Sequence, residues 1–201
     1  MQSTSRPLEV LPVPKVQPIP VRYQIVPHGV MGMLIFVVTE AMLFAGVISA
    51  FMIVKGAAAV WPPAGQPRLP VEETALNTLA LLASGVALHL AGRAFDRSRE
   101  SARAPMAIAL GLGAFFVIFQ GFEWVRLIAQ GLTLTSSTLG SFFYLIVGMH
   151  ALHALAAISA LGWALSRLLA GELTYNQLAP VQIFWYFVVG VWPVLYWLVY
   201  L

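Results

Sequence analysis

The chain has 201 residues, of which 60% are apolar and 9% are charged, and its mean hydropathy is +0.84. Soluble domains carry about 25% charged residues, so this composition indicates an integral membrane protein with little room for a separate soluble domain. The absence of cysteine excludes disulfides, thiolate metal sites and iron–sulfur clusters, and the net charge of +3 does not indicate nucleic-acid binding, because the basic residues flank apolar segments and therefore belong to membrane topology.

The first 29 residues contain six prolines and predict an extended, proline-rich arm. This arm does not resemble a signal peptide, because the apolar stretch that follows runs for about 25 residues and contains a carboxylate. Residues 30–201 then hold five apolar segments, each long enough to cross a bilayer core of roughly 30 Å. We therefore predict an all-α transmembrane domain of five helices, near residues 30–54, 74–94, 106–129, 141–165 and 181–201.

The distribution of Lys and Arg predicts the orientation of these helices. Eight of the eleven basic residues lie in the arm, in the turn near residues 93–103 or at Arg167, whereas Lys55, Arg68 and Arg126 lie on the opposite side. Because Lys and Arg concentrate on the cytoplasmic side, we expect a cytoplasmic N-terminus and a C-terminus outside, in the periplasm. The absence of an internal repeat argues against an inverted-repeat transporter.

Glu40 lies near the centre of the first segment, where a charged carboxylate is costly. No Lys or Arg lies at a comparable depth, so an ionised Glu40 would lack a partner within the chain. We expect Glu40 to be buried and protonated, and to donate a hydrogen bond to a backbone carbonyl or to a side chain on a packed helix. A proton-handling or partner-anchoring role is the functional alternative to this structural one.

Glu123, His150 and His153 form a second group of buried polar candidates. The histidines are spaced i and i+3, so their side chains lie on one side of a helix. A short turn joins their segment to that of Glu123, which predicts antiparallel neighbours with Glu123 level with residue 147. Glu123 and Arg126 are spaced i and i+3 and can pair locally, and we expect Glu123 to contact His150 or His153. The alternative is an interfacial Glu123–Arg126 pair, with both imidazoles bonded to backbone carbonyls.

A metal or haem site is not expected in this chain, and we predict no catalytic residue. Imidazole pairs at helical spacing can bind metals, but the chain has only four histidines. His28 lies in the arm and His89 lies near the inner end of the second segment. A site at His150 and His153 would therefore need Glu123 as a third ligand. No CxxCH motif indicates haem attachment.

Residues near the segment ends are candidates for contacts with lipid or with other proteins. Basic and amphipathic side chains at this depth favour lipid headgroups. The candidate headgroup ligands are Arg22, Arg93, His89 and Trp61. The last segment is too aromatic to serve only as an interfacial belt, so some of its rings should face a partner protein or ordered lipid. The candidates there are Trp185, Tyr186 and Trp192.

Five blocks of residues 30–201 resemble those of a known family, in the same order. They are FVVTEAMLFAG at Phe36–Gly46, LNTLALLASGVAL at Leu76–Leu88, QGFEW at Gln120–Trp124, GMHALH at Gly148–His153, and the aromatic segment Trp185–Leu201. The family is subunit III of the haem–copper terminal oxidases, the cytochrome c oxidase subunit 3 family. The sequence departs from the family pattern at Tyr186 and Gly190, where members usually have His and Asp, and at Ala151, which replaces the second Gly of GFHGLH. The chain is most similar to the five-helix bacterial form.

This resemblance implies an accessory subunit that has no redox centre of its own. Such a subunit packs beside the catalytic subunit I, with subunit II and other respiratory subunits, and the haem and copper belong to those partners. It also implies support of the partner's proton uptake, a location in the bacterial cytoplasmic (inner) membrane, and phospholipid bound in a groove, which we expect between the first two helices and the last three.

Two other functions are compatible with the sequence. The chain could be the companion subunit of a quinol oxidase or of a nitric oxide reductase, because the electron-donor site lies on other chains. It could also be a stand-alone proton channel or transporter that uses Glu40 and Glu123. The absence of a repeat and of further intramembrane charges argues against this last function.

Overall fold

The computed structural model describes residues 27–61, 63, 67 and 69–201. Arg22, Arg68 and most of the proline-rich arm therefore lie outside the described residues. The described residues form no strand, and they contain five helices that are long and apolar enough to cross a membrane, which confirms the predicted fold class. These helices are α1 (His28–Ala57), α2 (Val71–Phe95), α3 (Arg99–Ala129), α4 (Thr138–Leu169) and α5 (Tyr175–Leu195), and a π-helical turn at Tyr196–Tyr200 continues α5.

The helices extend beyond the predicted apolar segments. The polar turn before α3 contains only residues 96–98, because Ser98 caps the helix by accepting a hydrogen bond from the Ser101 amide at 3.1 Å. α5 likewise begins at Tyr175, several residues before the predicted start at residue 181. Hydropathy identifies only the part of a helix that lies in hydrocarbon, whereas caps determine where the helix begins. Glycines with positive φ follow the C-caps of α3 and α4, at Gly131 and Gly171.

The helices do not divide into the predicted groups of two and three. α2 and α3 form the most extensive helix–helix interface, and α5 packs against α1, α2 and α4. The predicted division into two groups is therefore not seen, and phospholipid bound in a groove between the first two helices and the last three stays a prediction. The physical reason is the connection lengths: the short turn at residues 96–98 places α2 and α3 side by side, whereas the longer connection at residues 58–70 allows α1 to pack on α5 and α4 instead.

The tip of the Trp185 ring, on α5, reaches the backbone of α3 at Gly113. A methyl group at this position would lie 2.5 Å from Cη2 of Trp185, whose side chain is fully buried. The absence of a side chain at Gly113 is therefore what admits the indole ring between the two helices.

Candidate functional site: polar clusters inside the helix bundle

Glu123 is the centre of a buried hydrogen-bond cluster, and its exposed fraction is 2%. The Thr74 hydroxyl lies 3.0 and 3.1 Å from the two carboxyl oxygens. The Gln120 amide donates to Glu123 Oε2 at 2.7 Å and to the Tyr200 hydroxyl at 3.1 Å. The cluster thus joins α2, α3 and the π-helical turn through side-chain contacts, which is the usual role of polar groups between transmembrane helices.

Asn77 extends this cluster along α2. Its amide donates to the carbonyl of Phe116 at 3.2 Å and to Gln120 Oε1 at 3.4 Å. Because Gln120 accepts through Oε1 and donates through Nε2, its amide orientation is fixed by the residues on either side. The cluster therefore holds α2 and α3 in one register.

A small crevice lies between the ends of α2 and α3. It has a volume of about 180 Å³, and its lining consists of Pro70, Glu73, Glu123, Arg126, Leu127 and Gln130. Arg126 Nη1 lies 3.4 Å from Glu73 Oε2, and both side chains are more than half exposed. The prediction that Arg126 pairs with Glu123 on its own helix is therefore wrong. Arg126 points along the helix surface to the first turn of α2, whereas Glu123 points into the α2–α3 interface.

Glu40 and His153 form the second polar contact of the bundle. His153 Nε2 lies 2.9 Å from Glu40 Oε2 and connects α4 to α1. The other ring nitrogen, Nδ1, lies 2.7 Å from the Met149 carbonyl. A carbonyl only accepts hydrogen bonds, so Nδ1 carries a proton and one further proton is shared between Nε2 and the carboxyl group. The pair is therefore neutral as a whole, whichever atom holds that proton.

Phenylalanine rings surround this pair, and they come from α1 and α5. The His153 ring centroid lies 5.5 Å from that of Phe44 and 6.3 Å from those of Phe184 and Phe187. The side chains of His153 and Glu40 are 14% and 19% exposed, so the contact lies in a mostly apolar setting.

The structure corrects two predictions about Glu40 and Glu123. Glu40 has a basic partner inside the chain, His153, which a search for Lys and Arg overlooks. Glu123 contacts Thr74 and Gln120 rather than His150 or His153. Height along a hairpin does not determine which face of α3 turns toward α4, so the predicted level of Glu123 could not identify its partner.

His150 is 2% exposed, and its neighbours are aromatic. Its ring centroid lies 5.0 Å from that of Trp192 and 6.4 Å from those of Phe44 and Phe116. Its Nε2 atom has no hydrogen-bond partner among the described residues. His150 and His153 therefore differ in environment although they are spaced one turn apart.

Trp185 and Trp192 do not face a partner or lipid, contrary to the prediction. Both indoles are fully buried, and each donates to a hydroxyl of α2: Trp185 Nε1 to Ser84 Oγ at 3.2 Å and Trp192 Nε1 to Thr78 Oγ1 at 2.8 Å. An apolar indole with a satisfied N–H group is a core residue in a helix bundle. Tyr186 is 37% exposed.

The predicted headgroup ligands that can be located lie at opposite ends of the bundle. Arg93 and His89 are exposed and line a groove of about 210 Å³ between α2 and α5, together with Asp96, Tyr175, Gln182, Gly92 and Tyr186. Trp61 packs edge-on against Phe51, with ring centroids 5.7 Å apart, and lines a cavity of about 470 Å³ with Lys55. Their contact with lipid stays a prediction. Arg22 lies outside the described residues.

Residues that sequence reasoning missed lie on the buried face of α2. Thr74, Asn77, Thr78 and Ser84 are all buried and recur at intervals of three, four and seven positions. A polar stripe at helical spacing within an apolar segment is the signal that could have identified them. Within the described part of the chain, no group of three or more His, Asp or Glu side chains is placed to hold a metal ion.

Comparisons with known proteins identify the family. The family model described as Cytochrome c oxidase subunit III matches residues 22–201. The chain is 32% identical to a probable cytochrome c oxidase subunit 3 of Mycobacterium leprae, over 84% of this chain and 85% of that protein. It is 29% identical to cytochrome c oxidase subunit 3 of Synechocystis, over 85% and 74%, and 31% identical to the rabbit (Oryctolagus cuniculus) protein of the same name, over 82% and 66%.

These matches cover all five helices, including both buried polar clusters and the aromatic α5. The resemblance stated from the five sequence blocks is therefore confirmed, and so is the assignment to a membrane-embedded subunit of the respiratory chain. The chain belongs to the cytochrome c oxidase subunit III family.

Proposed function

We propose that this chain is a non-redox accessory subunit of a respiratory haem–copper oxidase complex. It packs beside the catalytic subunit I, with subunit II and other subunits of the complex, and it stabilises the catalytic subunit. The partners hold the haem and copper, reduce oxygen and pump protons. The chain itself holds phospholipid at its helix ends and supports proton uptake by its neighbour.

The observation that carries this proposal is the set of contacts that the intramembrane polar groups make with one another. Glu40 pairs with His153, and Glu123 bonds to Thr74 and Gln120, so each carboxyl joins one helix to another. Groups arranged in this way hold a bundle together, whereas a channel needs polar groups that follow one another across the membrane. The two clusters lie on different helix pairs, α1–α4 and α2–α3, which favours a scaffold over a channel.

α1 is the helix that best fits contact with another subunit. Only Phe44 and Phe51 of its 30 residues are buried within the chain. The outward residues are large and apolar: Leu34, Ile35, Val38, Met42 and Leu43. In a membrane this face contacts either lipid or a transmembrane helix of a partner.

Purification of the complex tests this function. An affinity tag on this chain should recover a haem-bearing catalytic subunit from native membranes in a mild detergent, with an optical spectrum of haem in the product. Recovery of the chain alone, together with proton flux in liposomes, would favour a channel. The spectrum and the identity of the co-purified chains also separate an oxidase that uses cytochrome c from a quinol oxidase or a nitric oxide reductase.

We also propose that the chain lies in the bacterial inner membrane with a cytoplasmic N-terminus. The natural sequence contains no cysteine, so single cysteines can be placed without background. Arg97→Cys, in the turn before α3, should be labelled by a membrane-impermeant maleimide only after the cells are opened. Gln130→Cys, at the other end of α3, should be labelled in intact cells, and the reverse pattern would invert the topology.

A further inference from the structure

Buried hydroxyl groups of α2 share one hydrogen-bond pattern. Thr78 Oγ1 lies 2.7 Å from a backbone carbonyl one turn earlier and accepts from Trp192 Nε1 at 2.8 Å. Ser84 Oγ lies 2.5 Å from a carbonyl three residues earlier and accepts from Trp185 Nε1 at 3.2 Å. An indole N–H group only donates and a carbonyl only accepts. Each hydroxyl therefore accepts from the ring of α5 and donates its single hydrogen to the carbonyl of its own chain segment.

Thr74 has the same arrangement, but its partner on the other helix is a carboxyl group. Thr74 Oγ1 lies 2.6 Å from the carbonyl of Pro70, the residue before α2, which is an ordinary length for an O–H···O bond. The same oxygen lies 3.0 and 3.1 Å from Oε2 and Oε1 of Glu123. The Pro70 carbonyl has no hydrogen to give, so the shortest of these contacts takes the one hydrogen of the hydroxyl. The hydrogen between Thr74 and Glu123 must then belong to the carboxyl group.

The other neighbours of Glu123 also fit a neutral acid. Gln120 Nε2 donates to Oε2 at 2.7 Å, which leaves Oε1 to carry the hydrogen. Arg126 forms its ion pair with Glu73 rather than with Glu123, so these two neighbouring charges oppose each other. Tyr200, the titratable group on the π-helical turn, is joined to the cluster through Gln120. Glu123 is 2% exposed, and a carboxylate without a cation is costly away from water.

We propose that Glu123 is a proton-binding site that is occupied at neutral pH, and that the bound proton closes the cluster. The Oε1–H group donates to Thr74, while Oε2 accepts from Gln120. Without the proton, lone pairs of the carboxylate and of the hydroxyl would face each other, because the Pro70 carbonyl holds the hydroxyl hydrogen. Glu123 is thus a positioning residue that ties α3 to α2, and its proton is part of this contact.

Infrared spectroscopy tests the bound proton. The full chain is purified at neutral pH with the subunits that it retains, in a detergent that has no ester or carboxyl group. The carbonyl stretch of a protonated carboxyl group is separate from the two stretches of a carboxylate. The spectrum of the natural chain minus that of Glu123→Gln should contain one band of a protonated carboxyl group. Glu100→Gln, at an exposed position in the first turn of α3, is the matched control and should leave no such band in the difference.

Variants of Thr74 test which group donates. Thr74→Val keeps the shape of the side chain and removes the acceptor of the Glu123 O–H group, so the carboxyl band should move to higher frequency. Thr74→Ser keeps the hydroxyl and should leave the band in place. A hydroxyl that donated to an ionised Glu123 would leave no protonated band to move.

Three results would overturn the proposal. The first is a difference spectrum for Glu123→Gln that contains carboxylate bands and no protonated carboxyl band. The second is an identical band position in Thr74→Val and Thr74→Ser. The third is failure of Glu123→Gln to fold, because its amide can donate to Thr74 and accept from Gln120 as the neutral acid does. Size-exclusion chromatography of each variant reports whether it is folded.

Discussion

α1 and the group formed by α2, α3 and α5 are packed in different ways. α2 has nine buried residues of 25, four of them polar, and hydroxyls of this helix accept hydrogen bonds from Trp185 and Trp192. α1 has two buried residues of 30 and contacts the rest of the chain through aromatic rings and through Glu40. The first region is therefore a core, whereas α1 is attached at the edge.

This difference shows how a bundle is stabilised where burial of apolar surface supplies little driving force. Lipid tails are as apolar as leucine, so association of helices depends on close packing and on interhelical hydrogen bonds. α2, α3 and α5 have both, through Gly113 beside Trp185 and through the Glu123 cluster. α1 is held by the Glu40–His153 pair, by a hydrogen bond of 3.4 Å from Lys55 Nζ to the Leu198 carbonyl and by ring contacts, and with two buried residues it is the least buried of the five helices. It is therefore the helix that a partner engages most easily.

The largest effect should come from removing a core indole. Trp192→Ala leaves a cavity and removes the hydrogen bond that the indole donates to the Thr78 hydroxyl, and it should lower the free energy of unfolding by about 3–5 kcal/mol. Trp197→Ala is the matched control, because Trp197 is 69% exposed. Unfolding in mixed micelles measures both variants. Equal destabilisation would show that α5 is not the core helix described above.

Overpacking the contact between α3 and α5 should have a smaller effect. Gly113→Ala forces the buried Trp185 ring to shift and should cost about 1–3 kcal/mol. Gly111→Ala, on the same helix, introduces a methyl group with no atom within 4 Å and should be neutral or slightly stabilising. The same unfolding assay compares them, and similar stability of the two variants would mean that this contact is not tight.

The Glu40–His153 pair should contribute less free energy than either of the two preceding contacts. Its contribution should concern the attachment of α1 alone. In a double-mutant cycle of Glu40→Ala and His153→Ala, the coupling energy should be about 0.6–1.7 kcal/mol, which lies between the average and the largest value for such bonds in membranes. A cycle of Glu40→Ala with Ser159→Ala, roughly two turns away on α4, should show none.

The conservative change at the same position sharpens this comparison. Glu40→Gln keeps a donor for His153 Nε2 and should retain the subunit in the complex better than Glu40→Ala does, as measured by co-purification. If both variants lose the subunit equally, the carboxylate has an ionic partner on another chain.

The exposed ion pair between Arg126 and Glu73 should contribute least to the free energy of unfolding. Arg126→Gln removes the contact with Glu73, whose side chain is 51% exposed, and the loss should stay below about 1 kcal/mol. Arg167→Gln, which removes the contact with Glu172 at 2.7 Å on another exposed surface, serves as the control. A large effect of Arg126→Gln alone would mean that Arg126 also acts on the Glu123 cluster.

The sequence by itself determined the membrane class, the number of spanning helices and the family. These properties follow from local composition and from blocks such as LNTLALLASGVAL and QGFEW, which contain the buried polar residues Asn77, Ser84 and Glu123 of α2 and α3. The sequence could not determine helix ends, because hydropathy ends where hydrocarbon ends, whereas Ser98 caps α3 outside it. The orientation across the membrane, inferred from Lys and Arg, stays a prediction.

The tertiary structure alone decided which polar residues meet. Both acids could be placed at a depth along their helices, but not on a face, because rotation about a helix axis depends on packing against all neighbours. Glu123 therefore contacts Thr74 rather than the histidines. Glu40 contacts His153, which lies 113 residues away in the sequence. The same rotation buried Trp185 and Trp192 while it left Tyr186 exposed, a distinction that an aromatic-rich sequence does not contain.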